Sequence, residues 1–236
     1  MIPKKIHYCW FGGKPLPQLA KRCIKSWKKY LPDYEIIEWN ESNFNVNICP
    51  YTQEAYKAKK YAFVSDYARF WILYHHGGIY FDTDVEIIKP IDHILRKGAF
   101  MACEELNPQN PNHLYPKIAA GLGLAVEAKN NIYKNILEEY DKQHYILSNG
   151  ELNQTTVVTY ITDIFIRNGL QPNHDIQEIK GITIYPPEYF CPKSYYDKKI
   201  RITPKTVSIH HFDGSWISKK QKFKDFIKRL LKLKCV

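Results

Sequence analysis

Residues 60–84 read KYAFVSDYARFWILYHHGGIYFDTD, and this stretch decides the fold. From Ala62 to His76 the chain is apolar or aromatic nearly all round, with Phe63, Val64, Tyr67, Phe70, Trp71, Ile72 and Leu73, as in a buried helix. Gly77-Gly78 ends it as a left-handed cap. Ile79 to Phe81 then predicts a short strand running into Asp82-Thr83-Asp84. A long buried helix feeding a buried strand is a unit of an α/β sheet.

Ser65, Asp66 and Arg69 interrupt the apolar surface of that helix. They stand at i, i+1 and i+4, with Ala62 at i−3, and so share one side. Buried charges are costly unless paired. The stripe therefore implies either an internal Asp66–Arg69 ion pair or a polar cleft. Beyond it, a strand ending in carboxylates at i and i+2 points Asp82 and Asp84 to one side. At the C-terminal edge of an α/β sheet that is where ligands bind. Two carboxylates without soft ligands favour a hard cation, Mn²⁺ or Mg²⁺.

Outward from this stretch, Lys5 to Trp10 predicts a first strand, closed by Gly12-Gly13; 18–30 a helix; Tyr34 to Trp39 a second strand; 40–51 a loop; and 52–60 a short helix. Val85 to Ile88 continues extended, and Val207 to Phe212 predicts a late strand. The 236 residues suffice for one α/β domain at 1–217 with a decorated second half, followed by a segment at 218–236.

Net charge is +10, but residues 219–234 hold eight Lys or Arg against Asp225 alone, so the rest carries only +3. With Phe223, Phe226, Ile227, Leu230 and Leu231 at helical spacing, the segment predicts a basic amphipathic helix suited to an anionic membrane or to packing on the domain. The modest charge elsewhere, and the lack of a recognisable motif, speak against a nucleic-acid-binding protein. Six scattered cysteines without metal spacing read as free thiols. No signal-like or membrane-spanning run of apolar residues is found, so the expected location is the cytoplasm, with peripheral attachment to the inner membrane face through the tail.

Three segments carry a family resemblance: IPKKIHYCWFGG at 2–13, AFVSDYARFWILYHHGGIYFDTD at 62–84 and HHFDGSW at 210–216. Together they resemble the DXD-containing glycosyltransferases of the capsular-polysaccharide type, related to fungal initiating α-1,6-mannosyltransferases and clostridial glucosylating toxin domains. The resemblance implies a GT-A type, Rossmann-like nucleotide-sugar-binding domain with a mixed central sheet. It also implies transfer of a sugar, with retention of configuration, from a nucleotide-sugar to a glycan or lipid-linked acceptor, with Mn²⁺ or Mg²⁺ as cofactor.

On that resemblance, Trp10 stacks on the donor base with Cys9 as a backbone contact, Ser65 lies near the nucleotide, and Asp66 and Arg69 bind donor-sugar hydroxyls. Tyr80 lines the pocket. Asp82 touches ribose and metal, and Asp84 is the principal metal ligand. Ser215 and Trp216 close over the diphosphate, and His211 completes the metal shell, with His210 as its rival because a strand turns only one of them inward. At 151–155 this chain has Glu-Leu-Asn-Gln-Thr where many relatives carry Thr-Gly-Pro, which leaves Asn153 and Gln154 without an assigned role. A non-catalytic nucleotide or sugar binder of the same fold is the alternative reading.

Overall fold

The structure is a computed structural model and describes residues 1–106 and 114–214. The chain runs β1 (Lys5–Cys9), α1 (Gln18–Tyr30), β2 (Glu35–Trp39), α2 (Pro50–Lys57), α3 (Tyr61–His76), β3 (Gly78–Tyr80), β4 (Val85–Ile87), α4 (Asp92–Leu95) and β5 (Phe100–Glu104). It continues through β6 (Lys117–Ile118), β7 (Leu124–Val126), α5 (Asn131–Asp141), α6 (Val157–Arg167), β8 (Gln177–Ile179), β9 (Ile182–Tyr185), α7 (Pro187–Phe190) and β10 (Ser208–His210).

The central sheet has the order β2-β1-β3-β7-β5-β9-β8, with β6 added beside β5. β2, β1 and β3 are mutually parallel, as is the β5–β9 pair, whereas β7 runs antiparallel to both β3 and β5. This is the mixed sheet that the GT-A resemblance implies. Its two faces bury separate clusters. On one, α3 packs with α2, α5 and α6 around Tyr80, Leu124 and Val126. On the other, α1 and α7 cover Ile79, Phe81, Phe100 and Ala125. The alternation of Ile79, Tyr80 and Phe81 between faces follows from the two-residue period of a strand.

α1 matches its predicted span. α2 begins earlier than expected, because Pro50 occupies its first turn, where a missing N–H costs nothing, and it ends before Lys59, which adopts φ 58°. At the end of α3, Gly77 has φ 61° but ψ −169°, so it is not a left-handed cap. It swings the chain straight from helix into strand. A Cβ on Gly77 would lie 2.8 Å from the Ala128 nitrogen, and one on Gly78, at φ 105°, 2.8 Å from the Lys5 carbonyl. Both glycines let α3 and β3 dock tightly.

β4 and β10 form a separate antiparallel ribbon. Trp27 of α1, fully buried, donates its indole N–H to the Val85 carbonyl at 2.7 Å, and the Ser26 hydroxyl accepts from Ile87 N–H at 2.9 Å. These bonds fix the ribbon that follows Asp84. Replacing Trp27 with Phe is expected to cost about 1–3 kcal/mol, because the buried Val85 carbonyl loses a donor. A urea midpoint unchanged from wild type would exclude that role.

The five cysteines that fall in described residues are free, as expected, and all five are buried. Among the described residues no helix is long and apolar enough to cross a membrane. The segment 218–236, expected to be a helix, lies outside the described residues, as do Ser215 and Trp216.

Candidate metal and donor site

The C-terminal ends of β1 and β3 lie side by side, with Phe81 N–H donating to the His7 carbonyl. Cys9 and Tyr80 point to the α3 face, where Arg69 waits. Arg69 is 4% exposed and donates through Nη2 to Asp66 Oδ1 at 3.0 Å and to Asp82 Oδ1 at 3.4 Å. Its Nε donates to the Ser65 carbonyl, and its guanidinium lies over the Tyr80 ring, 5.1 Å from the centroid. The ion pair expected within the helix therefore exists, and it also reaches the first carboxylate of the DXD pair. One arginine joins the helix stripe to the strand end.

Burial opposes the charge on Arg69, but Asp82, Tyr80 and Asp66 outweigh it and raise its pKa further. Asp66 is pushed up to about 6, mainly by burial; Arg69 pulls it down and Asp82 adds to the rise. The Cys9 thiol, packed among Arg69, Tyr80, Asp82 and Ser65, is pushed up to about 12 by burial. It is a neutral packing group. The Ser65 hydroxyl donates to the Tyr61 carbonyl at 3.1 Å. Trp10 is partly exposed, and its indole N–H donates to the Lys14 carbonyl at 2.5 Å.

The carboxylate pair differs in one respect from the expected strand end. β3 stops at Tyr80, and Asp82 to Val85 form a tight turn closed by Val85 N–H to the Asp82 carbonyl at 3.0 Å. The pleat does not align the two side chains; the turn does. Asp82 Oδ1 accepts from the Tyr80 hydroxyl at 3.1 Å. Asp84 is held by His210 Nε2 at 3.1 Å on Oδ1 and by the Asp213 N–H at 2.9 Å on Oδ2. Burial resists ionisation of Asp84, but the charge and hydrogen bond of His210, with the Asp213 amide, hold it down at about 2.

Asp82, Asp84 and His210 form the cluster suited to a metal, their ligand atoms all within 4.8 Å of one another. Of the two rival histidines, His210 and not the favoured His211 lies in this cluster. In β10, His210 pairs with Val85 and turns toward Asp84, whereas His211 follows on the other side and binds Glu86 Oε2 through Nε2 at 2.7 Å. Two carboxylates and an imidazole suit a divalent ion of the Mn²⁺ or Mg²⁺ kind. Among the described residues His210 Nδ1 is buried without a hydrogen-bond partner, and Asp84 raises the His210 pKa against the effect of burial.

Gly121 was not expected to belong here. Its carbonyl accepts the Asp82 N–H at 3.0 Å, and a Cβ on it would lie 2.0 Å from Asp82 Oδ2. A glycine between apolar residues in AAGLGLAV is the one sequence signal of such a close approach. Asn153, left open by the sequence, is buried and structural: its amide donates to the His144 carbonyl and the Tyr160 hydroxyl.

Residues 17–101 match the family described as a glycosyltransferase sugar-binding region containing a DXD motif. Inositol phosphoceramide mannosyltransferase 1 of Schizosaccharomyces pombe is 29% identical over 111 residues, which are 42% of this chain and 33% of that protein. The chain thus matches about a third of the fungal relative. A glycosyltransferase of Acanthamoeba polyphaga mimivirus, named as uncharacterized, is 28% identical over 225 residues, covering 92% of this chain and 84% of its own. Among solved structures, the PaToxG glycosyltransferase is similar over 70% of this chain and 69% of its own, at 21% identity and a TM-score of 0.49. Residues 17–101 are thus similar to the sugar-binding region of the DXD-containing glycosyltransferases, and Asp82-Thr83-Asp84 is a D-x-D sequence within that match.

Proposed function

We propose that the protein is a retaining glycosyltransferase that moves a hexose, from a uridine diphosphate donor first and a guanosine diphosphate donor second, to a glycan or lipid-linked saccharide in surface polysaccharide synthesis. The observation that supports this reading is the convergence of Asp82 and Asp84, which lie in the matched region together with the Arg69–Asp66 pair, on His210 from β10. A lipid-linked acceptor agrees with the name of the fungal relative, inositol phosphoceramide mannosyltransferase 1.

In this reading Asp82, Asp84 and His210 hold a divalent ion, Mn²⁺ or Mg²⁺. When bound, such an ion supplies Lewis-acid charge to a departing diphosphate. Trp10, directly after β1, stacks on the base, with the Cys9 backbone beside it. Tyr80 forms a wall and keeps Asp82 oriented through its hydroxyl. Ser65 lies at the nucleotide end of the stripe. Asp66 accepts hydrogen bonds from donor-sugar hydroxyls, and Arg69, already neutralised by two carboxylates, keeps Asp66 and Asp82 in place and donates to sugar oxygens. Ser215 and Trp216, outside the described residues, would donate to the diphosphate. With no side chain assigned as nucleophile, attack from the leaving-group face is the route to retention. A glycosylated carboxylate trapped and found by mass spectrometry would overturn that step. The 218–236 segment would hold the enzyme at an anionic membrane on the cytoplasmic side.

The test is thermal unfolding with UDP or GDP, each with Mn²⁺ or EDTA. A ligand at about a hundred times its Kd adds about 2.7 kcal/mol, which for a domain of this size is roughly 5–10 °C. A metal-dependent shift with one nucleotide, followed by sugar transfer from the matching donor, is expected. No shift with either nucleotide in a folded sample would reject the donor site.

A further inference from the structure

α1 reads QLAKRCIKSWKKY and contains Lys21, Arg22, Lys25, Lys28 and Lys29 with no acid. The body outside the 219–234 segment carries +3, so without α1 it would carry −2. The positive charge of the described structure is therefore concentrated on this helix. At 100° per residue the five cations span an arc of about 120°. All five are exposed, while Ala20, Cys23 and Trp27 face the core.

Among the described residues little neutralises this ridge. Arg22 lies 3.7 Å from Glu86, and Lys29 sits over the Tyr30 ring at 4.8 Å. Among the described residues Lys21, Lys25 and Lys28 have no ion-pair partner. Shallow grooves flank the ridge. One, of about 280 Å³, is lined by Tyr8, Leu16 and Ile24 together with Lys21, Lys25 and Lys28. The other, of about 530 Å³, runs along Ser26 and Tyr30 to Ile87 and Ile88 of the ribbon that follows Asp84. Apolar floors beside long cationic stems suit a surface of phosphate headgroups over acyl chains. A straight ridge without exposed stacking aromatics suits a plane better than it suits nucleic-acid bases.

We infer that the exposed face of α1 is a docking surface for an anionic phospholipid membrane. This deepens the reading of a lipid-linked acceptor by naming a surface that brings such an acceptor to the site. α1 clamps β4 through Trp27 and Ser26, and Arg22 reaches Glu86, which binds His211 next to the metal cluster. A protein lying on α1 holds the DXD turn close to the headgroups.

The experiment is co-sedimentation of the full chain with vesicles of phosphatidylglycerol and phosphatidylcholine, and with phosphatidylcholine alone. It compares wild type with Lys21→Gln/Lys25→Gln/Lys28→Gln and with the matching triple Arg variant. Each basic residue near such a surface contributes roughly fivefold, so the Gln variant should bind anionic vesicles on the order of a hundredfold more weakly. The Arg variant should bind as wild type, and binding should fall with added salt. Three results would overturn the surface: equal binding by wild type and the Gln variant, which would assign attachment to another segment; equal binding to neutral vesicles; or displacement of the chain from vesicles by duplex DNA at equal phosphate. The Mn²⁺–UDP thermal shift, unchanged in the Gln variant, reports that donor site and fold are intact, so this surface and the transferase reading fail separately.

Discussion

Asp84→Asn is expected to lower sugar transfer at least roughly a thousandfold and to abolish the metal-dependent thermal shift, in a protein that still folds. A thousandfold corresponds to about 4 kcal/mol of transition-state stabilisation, within what a metal-held diphosphate draws from charge neutralisation. Asn keeps the shape of the side chain and can still accept from the Asp213 N–H that now binds Oδ2 at 2.9 Å. What it removes is the charge that Asp84 contributes beside Asp82 and His210. Transfer within tenfold of wild type would show that Asp84 is not a principal ligand.

The same substitution carries a stability effect with a defined sign. Asp84 is held at about 2 in the folded protein, below its ordinary value of 3.8. A depressed carboxyl stabilises the fold fully above its unfolded pKa, and that contribution fades as pH falls through the folded value. The difference in stability between wild type and Asp84→Asn should therefore be flat from about pH 4 up to the pH at which His210 gives up its proton, shrink above that because the His210 charge is part of the cause, and shrink on the acid side toward about pH 2. Its size is on the order of 2–3 kcal/mol at most. Chemical denaturation at several pH values, without metal, measures it. A difference that grew on acidification below about pH 4 would contradict the His210 and Asp213 contacts as the cause.

The sequence was most legible where one local rule sufficed. The all-round apolar pattern of α3 announced its burial, and the Ser65-Asp66-Arg69 stripe announced that something polar met it. The partner that joins Arg69 to the DXD pair, Asp82, lies 13 residues away, and no helical period shows it. The two-residue period placed Asp82 and Asp84 together for a different reason from the one found, since a turn aligns them. It also stated correctly that only one of His210 and His211 can face the site, but which one depends on the register of β10 against β4, 125 residues apart in the case of His210 and Val85. Register between distant strands is set by packing, and a single sequence carries no local mark of it. The basic ridge of α1 was hidden for another reason: the tail dominates the overall charge, and only a burial pattern separates a ridge from scattered lysines.

Gly121→Ala is expected to abolish metal-dependent nucleotide binding, and to lower transfer at least roughly a hundredfold, while leaving the fold as stable as wild type. The added Cβ would stand 2.0 Å from Asp82 Oδ2 and 2.9 Å from its Cγ, far inside contact distance. Something must move, and the backbone is the less free of the two parties. Asp82 N–H is bonded to the Gly121 carbonyl at 3.0 Å, and β7 begins three residues on, paired to β3 on one side and β5 on the other. The Asp82 side chain, more than a quarter exposed, can rotate away. Rotation would break its bond from Tyr80 and its contact with Arg69, and would carry its oxygens away from Asp84 and His210. Gly121 does not occupy a left-handed conformation, so Ala brings no backbone strain, and its smaller unfolded entropy adds about 0.4–1 kcal/mol in favour of folding. The expected signature is thus a site lost from a protein whose melting temperature without ligand is unchanged or slightly raised. Calorimetric titration of UDP with Mn²⁺, set beside the ligand-free melting curve, separates the cases. Binding within threefold of wild type would mean that Asp82 does not need the orientation it has here, whereas a melting point several degrees lower would mean that the strain went into the sheet.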